Sequence, residues 1–283
     1  MEAFNQKIKD KINLYEYEDE VSDQKVANFF EKLDTQQSRE RKVVQIFKPT
    51  DWGSSFILKI AASIAILFTA SFGIIRFSDV SIVVEKGSTS VIELPDGSEV
   101  HLNADSKLKF NKLAWIMTRN VSLDGEAFFD VAEGEKFIVK SLVGSTEVLG
   151  TSFNVFARED RYKVTCFTGS VGVSSSALED VIELAPGDGV DIRGDLMVKK
   201  FNVNDEPTKD WREGEFYFDN EPLREVLLTL SRQYNVEIKL DSKLGNQRYT
   251  GYFDNKDLNK ALRLICEPID LTFSIQESII VIK

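Results

Sequence analysis

From Phe56 to Phe77 the chain reads FILKIAASIAILFTASFGIIRF, and between Ile60 and Ile75 it carries no charge. As a helix this stretch is about 33 Å long at about 1.5 Å per residue, enough to cross a hydrocarbon layer of about 30 Å. A buried core helix usually keeps a polar face, whereas here only Ser63, Thr69 and Ser71 interrupt the apolar run. The reading is a single membrane-spanning helix, with Lys59 and Arg76 placed to extend toward the headgroups at either end. Arg39, Arg41, Lys42, Lys48 and Lys59 precede its centre, and beyond Arg76 only Lys86 follows nearby. The positive-inside bias then puts the N-terminus in the cytoplasm and residues beyond 77 across the inner membrane. The run starts too far from Met1 for a cleaved signal peptide and has no small-x-small site before Arg76, so it is expected to stay as an anchor.

The formal charge of −11 lies mostly beyond the apolar run. That balance excludes a phosphate clamp, which requires clustered Lys and Arg, and no direct nucleic-acid contact is expected. His101 is the one histidine, so sites built from several imidazoles are excluded by inventory, and no metal or other cofactor is expected. Cys166 and Cys266 are too few for a disulfide framework and read as buried free thiols.

Ahead of the apolar run, residues 1–55 show helical spacing. Phe4, Ile8 and Ile12 share one face, and Val26, Phe29, Phe30 and Leu33 belong to a second segment that Ser22 or Asp23 could cap. So short a piece buries little surface alone. Its apolar faces either pack into a small hairpin or await a protein partner.

Residues 78–200 present short alternating runs separated by Pro95-Asp96-Gly97-Ser98, Asp124-Gly125, Gly150-Thr151, Gly169-Ser170 and Pro186-Gly187-Asp188-Gly189. The pattern predicts many short strands without intervening helices: a sandwich, a barrel or a β-solenoid. Asp124, Glu126 and Asp130 could suggest the paired carboxylates of a glycosidase. An Asp-Gly turn followed by a solvated strand face accounts for them as well. The Gly150-Thr151 bond could undergo attack by the threonine hydroxyl on the open glycine carbonyl.

After a linker at 201–213, residues 214–283 contain a duplication. A shift of 35 residues superimposes Phe218-Asp219-Asn220 on Phe253-Asp254-Asn255, Leu223 on Leu258 and Leu227 on Leu262. Each copy reads as strand, helix, strand, with Leu223, Leu227, Leu230, Leu258, Leu262 and Ile265 as the core of a module with two helices over a small sheet. The alternating stretch Ser278 to Ile282 is expected at the sheet edge. Ser278, Ile280 and Ile282 are then candidates for pairing with a partner's strand.

The stretches VIELPDGSEVHLNADSKLKF, VSLDGEAFFDV, VLGTSFNV, GSVGV and LAPGD, in this order after the apolar helix, resemble the FecR family of transmembrane sigma-factor regulators. The duplicated terminus is similar to the C-terminal domain of its Bacteroidetes branch and to the short signalling (STN) domain of secretins and TonB-dependent transducers. The resemblance implies a mainly β protein with a small α+β module: a β-solenoid-like FecR domain and a duplicated βαβ module carried on one transmembrane helix, 56–77. It further implies that the cytoplasmic segment holds an extracytoplasmic-function (ECF) sigma factor, with Val26, Phe29, Phe30 and Leu33 as contact candidates. The far side would meet the signalling domain of an outer-membrane TonB-dependent transporter, and the helix would be the substrate of an intramembrane protease. Gly150 and Thr151 match a bond at which some relatives cleave themselves. The N-terminal segment departs from better-known members, since its only tryptophan, Trp52, lies beside the membrane. No enzymatic activity is implied. A membrane-anchored docking or adhesion protein with no transcriptional role, and a carbohydrate-active enzyme using Asp124 or Glu126, are the competing functions.

Overall fold

The computed structural model describes residues 28, 53–76, 78–194, 197–202 and 211–283 of the chain. Val26, Phe29, Phe30 and Leu33 lie outside the described residues. The described residues from Leu67 to Lys283 belong to one compact unit. Helix α1, Gly53–Arg76, is 24 residues long. Its described side chains, Phe56 and residues 58–69, are all exposed. Among the described residues no helix is long and apolar enough to cross a membrane. Those side chains cover only part of α1.

Thirteen strands form one sheet. They are β1 Asp79–Val84, β2 Ser90–Glu93, β3 Glu99–Leu102, β4 Ser106–Asn111, β5 Arg119–Asp130, β6 Phe137–Lys140 and β7 Gly144–Val148. The rest are β8 Ser152–Arg158, β9 Arg161–Cys166, β10 Val171–Ser175, β11 Ile182–Leu184, β12 Asp188–Arg193 and β13 Met197–Asn202. The long strand β5 belongs to both halves of this sheet. Its first half pairs with β4 and, in parallel, with β6, and its second half pairs with β3 and β8. The change of partners occurs at Gly125, whose φ is +128° and whose added Cβ would lie 2.4 Å from Ser106 Oγ. Glycine is required there because the backbone of β4 occupies the space a side chain would need. Asp124-Gly125 is therefore a bend within a strand rather than a turn between strands.

Folding at this bend closes the sheet into a curled half-barrel over one apolar core. Phe129 of β5 meets Phe137 of β6 edge-on at 6.0 Å and stacks on Phe153 of β8 at 5.1 Å. Tyr162 of β9, fully buried, shares a 2.6 Å hydrogen bond with Thr146 of β7. Alternation dictates this arrangement, as in β8, where Phe153, Val155 and Ala157 face inward. The β-solenoid expectation is corrected. Pairing in this sheet is antiparallel except between β5 and β6, whereas stacked solenoid coils would pair in parallel throughout.

The C-terminal segment contains β14 Glu215–Pro222, α2 Leu223–Tyr234, β15 Glu237–Leu240, β16 Arg248–Asp254, α3 Leu258–Cys266, β17 Phe273–Gln276 and β18 Ile279–Ile282. The strand, helix, strand order of each repeat is present, but the strands form two sheets rather than one. The opening strands of the repeats pair as β14–β16, and the closing strands flank the terminal strand as β15–β18–β17. The stretch ending at Ile282 is thus central and not an edge, a correction to the docking role of Ser278, Ile280 and Ile282. Ile280 is 0% and Ile282 2% exposed, and Ser278 O accepts from Glu237 N. The predicted leucines do form the core: Leu223, Leu227, Leu230, Leu262 and Ile265 are buried together, and Leu258 packs against them.

The repeats start their helices differently. Asp257 caps α3 through Oδ1, which accepts from Lys260 N at 3.1 Å. The first turn of α2 has no side-chain cap; instead Leu223 N and Arg224 N donate to the carbonyls of Gln247 and Gly245. The Asn that could cap it, Asn220, is drawn into a bulge of β14. Phe218 opposes Gly251 and Glu221 opposes Tyr249, so one extra residue is accommodated, and Asn220 takes φ +50°. That bulge turns Glu221 away from its own module.

Candidate functional site

Glu221 reaches an ionic cluster on the half-barrel. In the β9–β12 ladder Arg161 stands directly opposite Arg193, a like-charge pair that destabilises a sheet unless acids separate the two guanidinium groups. Asp191, two residues before Arg193, takes both prongs of Arg161, Nε donating to Oδ1 at 2.9 Å and Nη2 to Oδ2 at 2.7 Å. Arg193 Nη2 donates to Asp191 Oδ2 at 2.9 Å. Glu221 completes the balance: Arg161 Nη2 donates to its Oε1 at 2.8 Å, and Arg193 Nη2 reaches Oε1 and Oε2 at 2.8 and 2.9 Å.

Two charges of each sign are shielded here, Asp191 leaving 8% and Glu221 17% of its side chain exposed. Burial works against ionisation, but the Arg161 and Arg193 guanidinium groups outweigh it. They hold the Asp191 and Glu221 carboxyls below their ordinary values. Burial likewise opposes the charge of Arg161, and its hydrogen bonds to Asp191 raise its pKa in spite of this.

A second contact uses neutral amides oriented by Glu126. Asn103 Nδ2 and Asn154 Nδ2 donate to the two oxygens of Glu126, at 2.8 and 3.1 Å. Both side-chain carbonyls are thereby turned toward the C-terminal module, whose donors meet them. Gln233 Nε2 of α2 donates to Asn103 Oδ1 at 2.8 Å, and Trp211 Nε1 donates to Asn154 Oδ1 at 2.9 Å. The guanidinium of Arg212 lies 3.6 Å above the ring of Phe128.

A third contact is made by the C-terminal end of α2. Gly87, in the β1–β2 turn, donates its N–H to Arg232 O at 2.8 Å, satisfying a carbonyl that the helix end leaves open. The loop 103–105 beside it is held by Arg158, whose Nη2 and Nη1 donate to Ala104 O and Asp105 O at 2.7 and 2.5 Å. Burial, with Arg232 nearby, lowers the Arg158 pKa to about 10.

These contacts join the C-terminal module to the half-barrel through ion pairs and hydrogen bonds. Glu126 has both oxygens engaged in orienting amides. Asp124 is an exposed strand residue opposite Lys107, and Asp130 accepts from Ser152 Oγ. The three carboxylates are therefore accounted for as a solvated strand face and a structural anchor. Among the described residues no cluster of His, Cys, Asp or Glu could hold a metal ion. Cys166 and Cys266 are buried free thiols, and burial together with a nearby carboxylate raises each to about 11, far from the reactive thiolate range.

Gly150 and Thr151 lie between β7 and β8. A Cβ at Gly150 would fall 2.9 Å from the Glu133 backbone, so glycine is needed for packing. Thr151 is 3% exposed, and its hydroxyl donates to Ser170 O at 3.1 Å. That acceptor is a main-chain carbonyl, which is not a proton acceptor of useful strength at neutral pH.

Sequence reasoning missed Arg161, Arg193, Glu221, Asn103, Asn154, Trp211 and Gln233. The one local signal was the acid and base alternating on a strand at Asp191 and Arg193.

Comparison with known proteins finds the family FecR protein over residues 80–172 and the family FecR, C-terminal, over residues 215–282. Two crystal structures of a candidate anti-sigma factor from Parabacteroides distasonis ATCC 8503, at 2.50 and 1.65 Å resolution, share the fold. Each has 32% sequence identity and a TM-score of 0.65, covering 72% of this chain and 98% of that one. No curated protein matches the chain.

Proposed function

Since the chain belongs to the FecR family, we propose that it is a transmembrane anti-sigma factor that relays an event outside the inner membrane to a sigma factor in the cytoplasm. The observation that carries this reading is the likeness to the Parabacteroides anti-sigma candidate along nearly the whole of that chain. In this reading α1 crosses the inner membrane once, supported by the uncharged run Ile60 to Ile75. Residues 1–55 lie in the cytoplasm and hold an ECF sigma factor through the apolar face containing Val26, Phe29, Phe30 and Leu33. The half-barrel and the C-terminal module lie in the periplasm and receive the signalling domain of a TonB-dependent transporter. The C-terminal module acts there as the STN-like part of the chain. An intramembrane protease acts on α1 when the signal is given.

The junction supplies a physical reason for two modules to act together. A load on the C-terminal module passes from α2 to Gly87 in the β1–β2 turn, and β1 begins three residues beyond the end of α1. Charged contacts at the β9–β12 ladder and amide contacts at Asn154 of β8 and at Asn103 after β3 keep the module from pivoting about that turn.

The test is co-purification of the full-length chain from solubilised membranes. A sigma factor should accompany the intact chain and be lost when residues 1–50 are deleted. Repeated recovery of the chain with no sigma factor would defeat the proposal and favour a docking protein without a transcriptional role.

A further inference from the structure

The 3-10 turn Ala114–Ile116 joins β4 to β5 and leaves an apolar group on the surface. Ile116 and Met117 are each 86% exposed and Leu113 is 41% exposed, while the neighbouring Trp115 is buried against Phe110 and Phe137. Trp115 fixes the turn from within, so the exposed side chains cannot fold back under it.

The position of this turn is set by Asn111. Its Oδ1 accepts from Ser78 Oγ at 2.6 Å and from Ala114 N at 2.8 Å, and its Nδ2 donates to Asp79 Oδ1 at 2.7 Å. Lys112 N also donates to Ser78 O at 3.1 Å. One side chain thus ties the turn to the first residues that follow α1, and Ser78 is at most about 7 Å of chain from Arg76. If α1 leaves the membrane at Arg76, chain geometry alone brings Leu113, Ile116 and Met117 close to the headgroups of the leaflet it leaves.

We infer that Leu113, Ile116 and Met117 form a second membrane contact, immersed in the interfacial region of the outer leaflet beside the exit of α1, with Lys112 toward the lipid phosphates. This rests on the membrane-spanning reading of α1. The occupant is the bilayer, because the tether through Ser78 and Asn111 leads there and not to a distant partner. Apolar side chains on a short turn enter the boundary between headgroups and acyl chains, and a flanking lysine interacts favourably with anionic lipid. The consequence is orientation: with one helix and one turn both held, the half-barrel cannot swivel freely on its anchor.

The test uses the full-length chain in phosphatidylethanolamine and phosphatidylglycerol vesicles, with a nitrobenzoxadiazole probe on one introduced cysteine. The buried Cys166 and Cys266 are protected from the label. Probes are placed by Met117→Cys, by Ile116→Cys, by Leu142→Cys, a 97% exposed residue in the turn between β6 and β7, and by Ile66→Cys within α1. Lipids carrying a doxyl quencher near the headgroup should reduce emission at 116 and 117 and leave 142 unchanged, while deep quenchers reduce emission at 66. Quenching at 66 without quenching at 116 or 117 would overturn this inference and leave the spanning helix standing. Absence of quenching at 66 would remove both. Emission at 117 that responds to protein density and not to quencher lipid would assign the patch to a second copy of the chain, which also overturns the inference.

Discussion

Replacing Glu221 by alanine removes the acid that the C-terminal module contributes to the half-barrel. Three short hydrogen bonds are lost, and Arg161 and Arg193 remain opposite one another with Asp191 alone between them. Breaking a fully buried ion pair from one side costs about 3–5 kcal/mol. The Glu221 side chain is 17% and that of Arg193 25% exposed. Water therefore recovers part of the loss, and the expected cost is about 2–3 kcal/mol. For a folded unit of this size that corresponds to a fall in Tm of about 5–10 °C.

The effect should be local in origin. In the full-length chain in detergent, hydrogen exchange should quicken in β14 and the first turn of α2 while the β5–β8 ladder keeps its protection. A double-mutant cycle with Arg193→Ala should give a coupling of about 1–2 kcal/mol, because the residues share one network. An unchanged Tm together with unchanged exchange in β14 would refute the claim that this cluster joins the modules.

Acid should weaken the same junction. Asp191 and Glu221 are held below their usual values of 3.8 and 4.5. Their contribution is therefore complete above the unfolded values and is lost as pH falls through the lower folded ones. Urea unfolding followed from pH 7 to pH 3 should show stability dropping below about pH 4.5, with a shallower drop in Glu221→Gln. Trp211→Phe keeps an aromatic side chain, smaller than the indole, but removes the donor to Asn154 Oδ1. It should cost about 1–2 kcal/mol in chemical denaturation, and a neutral result would mean the amide relay is incidental. Gly125→Ala puts a methyl 2.6 Å from the Ser106 Cα at a φ of +128°. A loss exceeding about 4 kcal/mol, seen as failure to recover folded protein, is expected, and a stable variant would show that β5 does not bend for the reason given.

Much of the architecture is written locally. Pro95-Asp96-Gly97-Ser98 closes β2 on β3 as its composition suggests, with Asp96 Oδ1 accepting from Ser98 N and Leu94 N donating to Ser98 O. The duplicated leucines form the core of their module. What depends on chain segments far apart was not legible. Asp124-Gly125 has the composition of a turn, and only the approach of Ser106 makes it a bend in one continuous strand. Ser278 to Ile282 alternates as an edge strand would, yet β15, 42 residues earlier, takes the open side of β18. Glu221 lies sixty residues from Arg161, and its role depends on a bulge that alternation does not reveal. Glu126 drew attention as an acid and proved to be the group that orients two asparagines.

In the proposed topology one polypeptide joins the cytoplasm to the periplasm through α1. Protease added to intact spheroplasts, with immunodetection of tags at both termini, tests that topology. Digestion of the segment beyond Arg76, with a protected fragment that keeps the N-terminal tag, is the predicted result. Full protection of the C-terminal tag while a periplasmic control is digested would contradict it.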